Sequence, residues 1–271
     1  MLKLNGTPVT LGSFPDGTLL LREAVPKDFT AQRSAQIDWY YAEERELPAL
    51  IYLTEHLHAH GVEQVQLFLP YIPNARQDRV KTDEDVFTLR YFAKLINSLG
   101  FQSVTVLDPH SSVSEALLER LIIRTPAQFA QRVIAEITAQ EGEAPLLFYP
   151  DEGAGKRYGG MIGLPYAFGI KKRDWKTGKI QGLDAAGETE RIAGSNVLIV
   201  DDICSRGGTF FHAARALRER GAKHIYLFIT HCENTILTGE LTTCGLLQRI
   251  YTTNSIFTGE HSLITVFDCQ A

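Results

Sequence analysis

Two kinds of apolar pattern alternate along the chain: short continuous runs, and longer segments in which apolar residues recur every three or four positions. The short runs are typical of buried strands, and the longer segments are typical of helices. Candidate strands lie at 65–69, 103–107, 146–149, 197–200 and 225–230. Candidate helices lie at 45–60 and 87–99, and each is followed by a glycine, the residue that most often closes a helix. The alternation predicts an α/β fold with mostly parallel sheets flanked by helices.

The number of candidate strands exceeds what one small sheet needs. Shorter candidates precede the first helix, at 8–14, 18–22 and 37–42. A division near 124–126 gives two α/β halves, so we predict an N-terminal domain of residues 1–125 and a C-terminal domain of residues 126–271. The sequence leaves open whether the last strand returns to the N-terminal domain. Residues 171–194 lack apolar periodicity and carry many charges, which predicts a long mobile loop.

One segment, residues 196–209 (NVLIVDDICSRGGT), carries most of the chemical information. An apolar run ends at two carboxylates, Asp201 and Asp202, which are followed by a glycine-rich turn and a helical pattern from Phe210. Such a turn lies at the carboxyl edge of a parallel sheet, where α/β proteins bind ligands. Glycines and a helix N-terminus favour a phosphate, and neighbouring acids favour hydroxyls, so we predict a ribose phosphate ligand. A simpler interpretation is that the two acids only cap the helix.

Composition narrows the class of protein. The 271 residues are 44% hydrophobic and 22% charged, which is ordinary for a globular protein. The net charge of −5 argues against a nucleic-acid surface. No apolar run approaches the roughly 20 residues of a membrane helix, and the N-terminus lacks the apolar core of a signal peptide. The four cysteines have no CxxC spacing, so we expect neither a zinc site nor disulfides. Together, these features predict a cytoplasmic protein with no membrane or nucleic-acid partner.

Four further segments lie at predicted turns or strand ends. They are FPDG (14–17), PYIPNARQDR (70–79), DPH (108–110) and PDEG (150–153). Together with residues 196–209, they resemble the motifs of ribose-phosphate diphosphokinases, or PRPP synthetases, and occur in the same order from residue 14 to about residue 232. The segment 196–209 alone is also similar to type I phosphoribosyltransferases, in which the PYIPNARQDR run is absent.

The resemblance implies both a fold and an activity. The implied fold has two phosphoribosyltransferase-like (type I) domains. The implied reaction transfers a diphosphoryl group from ATP to the anomeric hydroxyl of ribose 5-phosphate and yields PRPP and AMP. The resemblance also implies Mg²⁺ as a cofactor and a homo-oligomer in which neighbouring subunits share the ATP site.

The resemblance further implies a role for particular residues of this sequence. Nucleotide binding is implied for Phe14, Asp16, Arg76, Gln77 and His110, with Phe14 and Asp16 reaching the adenine from a neighbouring subunit. Magnesium binding is implied for His110 and Asp151. Ribose-phosphate binding is implied for Asp201, Asp202, Ser205, Arg206, Gly207, Gly208 and Thr209. Catalysis is implied for Lys172, Arg173 and Asp202.

The sequence departs from the family pattern at several of these positions. The family's DDxxDTGGT reads DDICSRGGT here, so that Ser205 and Arg206 replace an aspartate and a threonine. Asp174 stands where a second arginine is common, and Thr18 stands where a glutamate is common. The added arginine suggests an acceptor with more negative charge, such as ADP-ribose, which would connect the protein to NAD metabolism. The sequence also remains compatible with a non-catalytic regulatory homologue and with a phosphoribosyltransferase.

Overall fold

The structure is a computed structural model that describes residues 1–26, 31, 33–173 and 180–270; for 171–173 and 180–183 the description is limited to the backbone. The chain divides into two compact units, Met1–Arg124 and Thr125–Ala271. Each unit has its own sheet and its own buried apolar core.

The first unit contains a six-stranded sheet and a separate hairpin. Its described strands are β1 (Leu2–Leu4), β2 (Thr7–Pro8), β3 (Leu11–Ser13), β4 (Leu19–Leu21), β5 (Ser34–Trp39), β6 (Gln64–Phe68), β7 (Ser103–Leu107) and β8 (Leu121–Arg124). Its described α-helices are α1 (Glu46–Ala59), α2 (Thr88–Ser98) and α3 (Ser112–Leu117). The sheet order is β2-β1-β5-β6-β7-β8, in which β5 to β8 are parallel and β1 and β2 are antiparallel. The hairpin consists of β3 and β4.

The core of the first unit lies between its sheet and the helices α1 and α2. Side chains alternate across a strand, and Ile37 and Trp39 of β5 both belong to the core. They join Leu53 of α1 and Phe92 of α2, with the rings of Trp39 and Phe92 centred 6.1 Å apart. Because β5 to β8 are parallel, they end at one common edge of the sheet. The segments that follow β6 and β7 begin at this edge.

The second unit contains a seven-stranded sheet. Its described strands are β9 (Leu146–Tyr149), β10 (Tyr166–Arg173), β11 (Ile180–Gly187), β12 (Val197–Cys204), β13 (Ile225–Cys232), β14 (Arg249–Thr253) and β15 (Ile264–Phe267). Its described α-helices are α4 (Ala127–Glu141), α5 (Glu152–Ile162) and α6 (Gly208–Glu219), and short 3₁₀ helices lie at Thr189–Arg191, Asn234–Thr238 and Glu240–Thr242. The sheet order is β11-β10-β9-β12-β13-β14-β15, and only the β10–β11 pairing is antiparallel among the described strands.

Helices pack against both faces of this second sheet. On one face, Leu217 of α6 joins Ile199 of β12 in the apolar core. On the other face, Phe129 of α4 stacks on Phe267 of β15 with ring centroids 6.1 Å apart, and α5 contributes a second aromatic stack. Two mostly parallel sheets flanked by helices confirm the predicted fold class.

Two early strand boundaries differ from the prediction. The strand predicted over 8–14 is interrupted, because β2 ends at Pro8, which has no backbone N–H to continue a ladder, and β3 begins at Leu11. The strand predicted over 37–42 starts and ends three residues earlier, as β5 (Ser34–Trp39). In the first half of β5, the exposed Gln36 lies on the side away from the core. The apolar pattern of the sequence therefore identified only the second half of this strand.

The prediction of a loop over 171–194 is wrong for the described residues. β10 continues to Arg173, and β11 returns beside it from Ile180 to Gly187 as an antiparallel hairpin. A strand at the end of a sheet has only one neighbour and does not need an apolar face, which explains why the pattern missed β11. Asp184 of this strand forms an ion pair with Arg220 at 3.1 Å. Residues 174–179, including Asp174, lie outside the described part.

The last strand stays in the second unit. β15 pairs in parallel with β14, with Thr253 opposite Phe267. It therefore completes the seven-stranded sheet and does not return to the sheet of the first unit.

Glu141, the last residue of α4, ties that helix to the start of β13. Its carboxylate accepts a hydrogen bond from the Tyr226 hydroxyl at 2.8 Å and pairs with Lys223 Nζ at 3.1 Å and His224 Nδ1 at 2.9 Å. These contacts, with Tyr226 contributing most, lower the pKa of Glu141 from 4.5 to about 2. Because the folded-state pKa is depressed, the ionised carboxylate stabilises the fold above about pH 4.5, and this contribution is lost as the pH falls towards 2.

We expect Glu141→Gln to lower the free energy of unfolding at neutral pH and to weaken its dependence on pH between 4.5 and 2. Urea unfolding at a series of pH values measures both effects. Glu219→Gln is the matched control, because Glu219 is exposed and forms its ion pair with Arg215 of the same helix, α6. An unchanged pH dependence in Glu141→Gln would show that the cluster contributes nothing to stability.

Candidate active site

β12 carries the two adjacent carboxylates of residues 196–209. Asp201 and Asp202 lie inside this strand, which continues to Cys204, so the expectation that the strand ends before the two acids is wrong. The strand is long because β13 is long as well: Cys204 is paired with Cys232, and the backbone N–H of Glu233 donates to the Cys204 carbonyl at 2.8 Å. Pairing in a sheet is made by the backbone, so polar side chains do not end it.

Asp202 is almost fully buried and is held by a basic side chain of α5. The residue is 6% exposed, and its Oδ2 lies 3.4 Å from Nη1 of Arg157. Its Oδ1 accepts a hydrogen bond from the Ile203 N–H at 2.8 Å, while the Asp202 N–H donates to Asp201 Oδ1 at 3.0 Å. Sequence reasoning missed Arg157, because no local pattern shows that α5 packs on β9 and β10 and brings Arg157 to Asp202 of the neighbouring β12.

Three carboxylates share the carboxyl edge of this second sheet. Burial raises the pKa of Asp201 well above its ordinary value, and the negative charges of Asp202 and Asp151 raise it further. Asp151 follows β9, which is the neighbour of β12 in the sheet. A site with this excess of carboxylates favours ligands that bring hydrogen-bond donors or positive charge, as sugar hydroxyls and divalent cations do.

The turn after β12 is shaped by Gly207. This residue has a φ of 84°, in the left-handed region that glycine adopts readily, and a Cβ there would lie 2.6 Å from Leu241 Cδ2. Gly207 is also the N-cap of α6, so the interpretation in which Asp201 and Asp202 cap this helix is wrong. Three residues of the turn are exposed, Arg206, Gly208 and Thr209. The first N–H groups of a helix lack intrahelical partners, so this turn offers amide donors to a phosphate.

Asp151 has a structural role that the sequence reasoning did not include. It is the N-cap of α5, and its Oδ1 accepts a hydrogen bond from the Ala154 N–H at 3.1 Å. An ionised carboxylate has about four lone-pair sites, so a capping hydrogen bond and a cation can share one carboxylate. Among the described residues, no group of three or more His, Cys, Asp and Glu side chains is arranged to hold a metal ion. His110, the other predicted metal ligand, belongs to the first unit.

Lys172 and Arg173, the predicted catalytic cations, lie at the end of β10. Their backbones pair with Gly182 and Ile180 of β11, with an irregularity between the two pairs. Their side chains lie outside the described part of the chain. Since β10 is parallel to β9, its end points in the direction of the carboxyl edge that Asp151 occupies.

In the first unit, residues 70–79 follow β6, and two apolar side chains of this segment hold it to the core. Ile72 and Ala75 are buried, and Asn74 has a φ of 63°, which turns the chain. The Gln77 N–H donates to the Asn74 carbonyl at 3.0 Å, and Gln77 Oε1 accepts a hydrogen bond from the Thr88 hydroxyl at 2.6 Å. The exposed members of the segment include Gln77 and Arg79, and Arg76 lies beside them.

A buried acid, Asp78, links this segment to the end of β7. Arg79 binds its carboxylate through Nε at 2.7 Å and Nη2 at 3.0 Å. These hydrogen bonds lower the pKa of Asp78, and the charge of His110 lowers it further. His110 therefore lies near residues 70–79, as expected from β6 and β7 being neighbours. The structure brings the predicted nucleotide residues Arg76, Gln77 and His110 to the same edge of the first sheet.

The β3–β4 hairpin presents Phe14, whose side chain is 49% exposed. Asp16 organises the turn, because its Oδ1 accepts hydrogen bonds from the Thr18 N–H at 3.0 Å and the Thr18 hydroxyl at 2.7 Å. The hydroxyl bond contributes most to lowering the pKa of Asp16. The predicted contact of Phe14 and Asp16 with a nucleotide in a neighbouring subunit stays a prediction.

Comparison with known proteins gives the family. Residues 127–237, which lie in the second unit, match the family model of the phosphoribosyl transferase domain. The ribose-phosphate pyrophosphokinase of Thermococcus kodakarensis is 30% identical over 228 residues, which cover 82% of this chain and 77% of that protein. The chain belongs to the ribose-phosphate pyrophosphokinase family. A second family member, from Saccharolobus solfataricus, is 27% identical over 262 residues, which cover 93% of this chain and 86% of that protein.

The fold is also that of a solved family member. The crystal structure of the phosphoribosylpyrophosphate synthetase from Mycobacterium smegmatis matches with a TM-score of 0.77 over 97% of this chain and 86% of that chain. The sequence identity is 21%, so this likeness shows the fold alone. Membership of the ribose-phosphate pyrophosphokinase family confirms the resemblance first seen in the motifs. None of the helices in the described residues has the length and apolar character needed to cross a bilayer.

Proposed function

We propose that the protein transfers a diphosphoryl group from ATP to the anomeric hydroxyl of ribose 5-phosphate, yielding PRPP and AMP. One observation carries the proposal: the strand that bears Asp201 and Asp202 leads directly into the glycine turn and the N-terminus of α6. A ribose phosphate carries hydroxyls at one end and a phosphate at the other. This segment offers carboxylate acceptors and then amide donors in the same order. Membership of the ribose-phosphate pyrophosphokinase family supports ATP as the donor.

Asp201 and Asp202 bind the ribose hydroxyls in this proposal. Asp202 is kept in place by Arg157 and by the Ile203 N–H, so its carboxylate has a fixed direction. Phosphoryl transfer depends mainly on alignment and on charge stabilisation, because the protein has little covalent chemistry to perform. Ser205 to Thr209 hold the 5′-phosphate through backbone N–H groups and side chains.

The nucleotide binds to the first unit in this proposal. Arg76 lies beside the exposed Gln77, and a planar guanidinium can bind two phosphate oxygens at once. His110 lies near the same segment. Phe14 and Asp16 reach the adenine of a neighbouring subunit, so the active protein is a homo-oligomer.

Asp151 in the second unit and His110 in the first unit are each proposed to bind Mg²⁺, mostly through waters. Burial raises the pKa of Asp201, and the charges of the neighbouring carboxylates raise it further, an environment that a bound cation relieves. When bound, the ion supplies positive charge to the phosphates of ATP. Lys172 and Arg173 add positive charge to the equatorial oxygens in the transition state.

Arg206 supports a second candidate acceptor. It is exposed within the turn that would hold the 5′-phosphate. An added guanidinium there could bind a further phosphate, so ADP-ribose, whose ribose carries a 5′-diphosphate, is the second candidate substrate for the same chemistry.

The function is tested by incubating the protein with ATP and Mg²⁺ and with either ribose 5-phosphate or ADP-ribose, and identifying the products by mass. AMP together with PRPP supports the proposal. A much higher efficiency with ADP-ribose favours the second acceptor. Absence of AMP formation from ATP, together with consumption of PRPP in a separate incubation without ATP, indicates a phosphoribosyltransferase. Binding of ATP without turnover of either acceptor indicates a regulatory homologue.

Replacing Arg76 by alanine is expected to raise the KM for ATP by about 10- to 100-fold, because it removes charge-assisted hydrogen bonds to phosphate worth about 1.5–3 kcal/mol. The KM for ribose 5-phosphate is expected to stay close to that of the wild type. Arg90→Ala is the matched control, since Arg90 is an exposed arginine of α2 that contacts the Phe87 ring. Equal KM values for ATP in Arg76→Ala and Arg90→Ala would remove Arg76 from the nucleotide site.

A further inference from the structure

The glycine turn after β12 rests on the support segment, residues 234–242, which forms two short 3₁₀ helices. Each of three consecutive turn residues contacts it. The Ser205 hydroxyl lies 3.2 Å from the hydroxyl of Thr235. The backbone of Arg206 packs on Gly239, and Gly207 packs on the side chain of Leu241.

Of the two glycines at this contact, Gly239 leaves less room for a side chain. A Cβ at this position would overlap the carbonyl oxygen of Arg206 and lie 3.1 Å from its carbonyl carbon. The backbone of Gly239 has φ −89° and ψ 165°, which any residue adopts without strain. Glycine is therefore required here for the close approach of two backbones and not for its conformational freedom.

The support segment is itself fixed on its far side. The Asn234 side chain donates from Nδ2 to the Thr258 hydroxyl at 2.8 Å. Its Oδ1 accepts hydrogen bonds from the N–H groups of Thr258 and Gly259, both at 3.0 Å. Ile236 and Leu241 are buried in the core of the second unit. The segment is thus anchored in three ways: to the turn, to the core and to residues 258–259.

We propose that the support segment sets the shape of the ribose-phosphate turn, with Gly239 and Asn234 as positioning residues. The inference rests on the proposed function. Two adjacent glycines make the turn permissive, so its shape is determined by what it packs against. Gly239 acts by letting the Arg206 carbonyl approach, and Asn234 acts by holding the segment to residues 258–259. Both residues act through the turn and neither is assigned a contact with the substrate.

Gly239→Ala tests the close contact. The added methyl group pushes the turn away from its support, and a displacement on the order of 1 Å can reduce an aligned reaction by about 100-fold. We expect kcat/KM for ribose 5-phosphate to fall by about 10- to 100-fold, while the KM for ATP changes by less than about twofold. Gly160→Ala is the matched control, because Gly160 is exposed in α5 and an added Cβ would meet no atom within 4 Å.

Asn234 provides a second, independent variant. Asn234→Ala removes all three hydrogen bonds to Thr258 and Gly259, whereas Asn234→Asp keeps an acceptor for both N–H groups. We expect the alanine variant to lose efficiency with ribose 5-phosphate and the aspartate variant to recover most of it. Thermal unfolding of every variant separates these effects from a general loss of stability, which would not single out one substrate.

Two kinetic outcomes would contradict the proposed role of the support segment. Wild-type kcat/KM for ribose 5-phosphate in both Gly239→Ala and Asn234→Ala would overturn it, as would an equal rise in KM for both substrates. If the wild type forms no PRPP, the proposed function fails, and calorimetric titration with inorganic phosphate then decides the inference separately. Weaker phosphate binding in Gly239→Ala than in wild type supports it, and equal binding, or no binding by the wild type, overturns it.

Discussion

Asp202→Asn is expected to lower kcat for PRPP formation by at least about 100-fold, the effect typical of losing one preorganised electrostatic contact in an active site. The asparagine keeps the shape of the side chain and an acceptor for the Ile203 N–H, but it loses the charge that Arg157 holds in place. A neutral amide cannot fix two sugar hydroxyls as strong acceptors, so the anomeric hydroxyl loses its alignment. Product formation followed by mass gives the rate, and circular dichroism checks the fold.

Glu219→Gln serves as the control for Asp202→Asn, because it neutralises an exposed carboxylate at the far end of α6. We expect it to retain wild-type activity. If Asp202→Asn kept more than half of the wild-type rate, the sugar site would have to lie elsewhere in the second unit.

Trp39→Ala is expected to lower the free energy of unfolding of the first unit by about 3–5 kcal/mol, as for other large aromatic residues removed from a core. Trp39 has no exposed surface and packs against Phe92. Its indole N–H also donates to Glu46 Oε2 at 2.9 Å. The substitution leaves a cavity and takes a hydrogen-bond donor from a buried carboxylate, so both changes act in the same direction.

Trp39→Phe separates these two contributions. Phenylalanine fills most of the space but cannot donate to Glu46 Oε2, which keeps the Ala42 N–H as a donor. Losing one hydrogen bond to this carboxylate costs about 1.5–3 kcal/mol. Urea unfolding followed by circular dichroism measures both variants. A loss below about 1 kcal/mol in Trp39→Ala would show that the pocket around position 39 collapses without cost.

The helices could be predicted from sequence more accurately than the strands. The segments 45–60 and 87–99 correspond to α1 (Glu46–Ala59) and α2 (Thr88–Ser98) within one residue at each end. Their apolar residues repeat at helical spacing, and a glycine follows each of them. β5 and β11 were harder, because half of β5 faces away from the core and β11 lies at the end of its sheet.

The candidate site was predictable only as far as strand order allows. Segments that follow neighbouring parallel strands meet at one edge, which is why His110 could be expected near residues 70–79. Arg157 and Gly239 could not be found in this way. Arg157 meets Asp202 because α5 packs on β9 and β10, the strands next to β12 on one side of the sheet. Gly239 looks in the sequence like any other turn glycine. Both depend on contacts between residues that are distant along the chain.

Asp201 and Asp202 lie on a hydrogen-bonded strand, and this position affects which substitutions can alter the substrate specificity of the protein. At Asp201, β12 is paired with β13, so under the proposed function these carboxylates would bind the pentose from a position that the sheet holds in place. The group attached to carbon 5 of the pentose would then contact different residues, which are the side chains of the turn that follows β12. Substitutions such as Ser205 and Arg206 can therefore alter which group on carbon 5 is accepted, without changing how the pentose itself is bound.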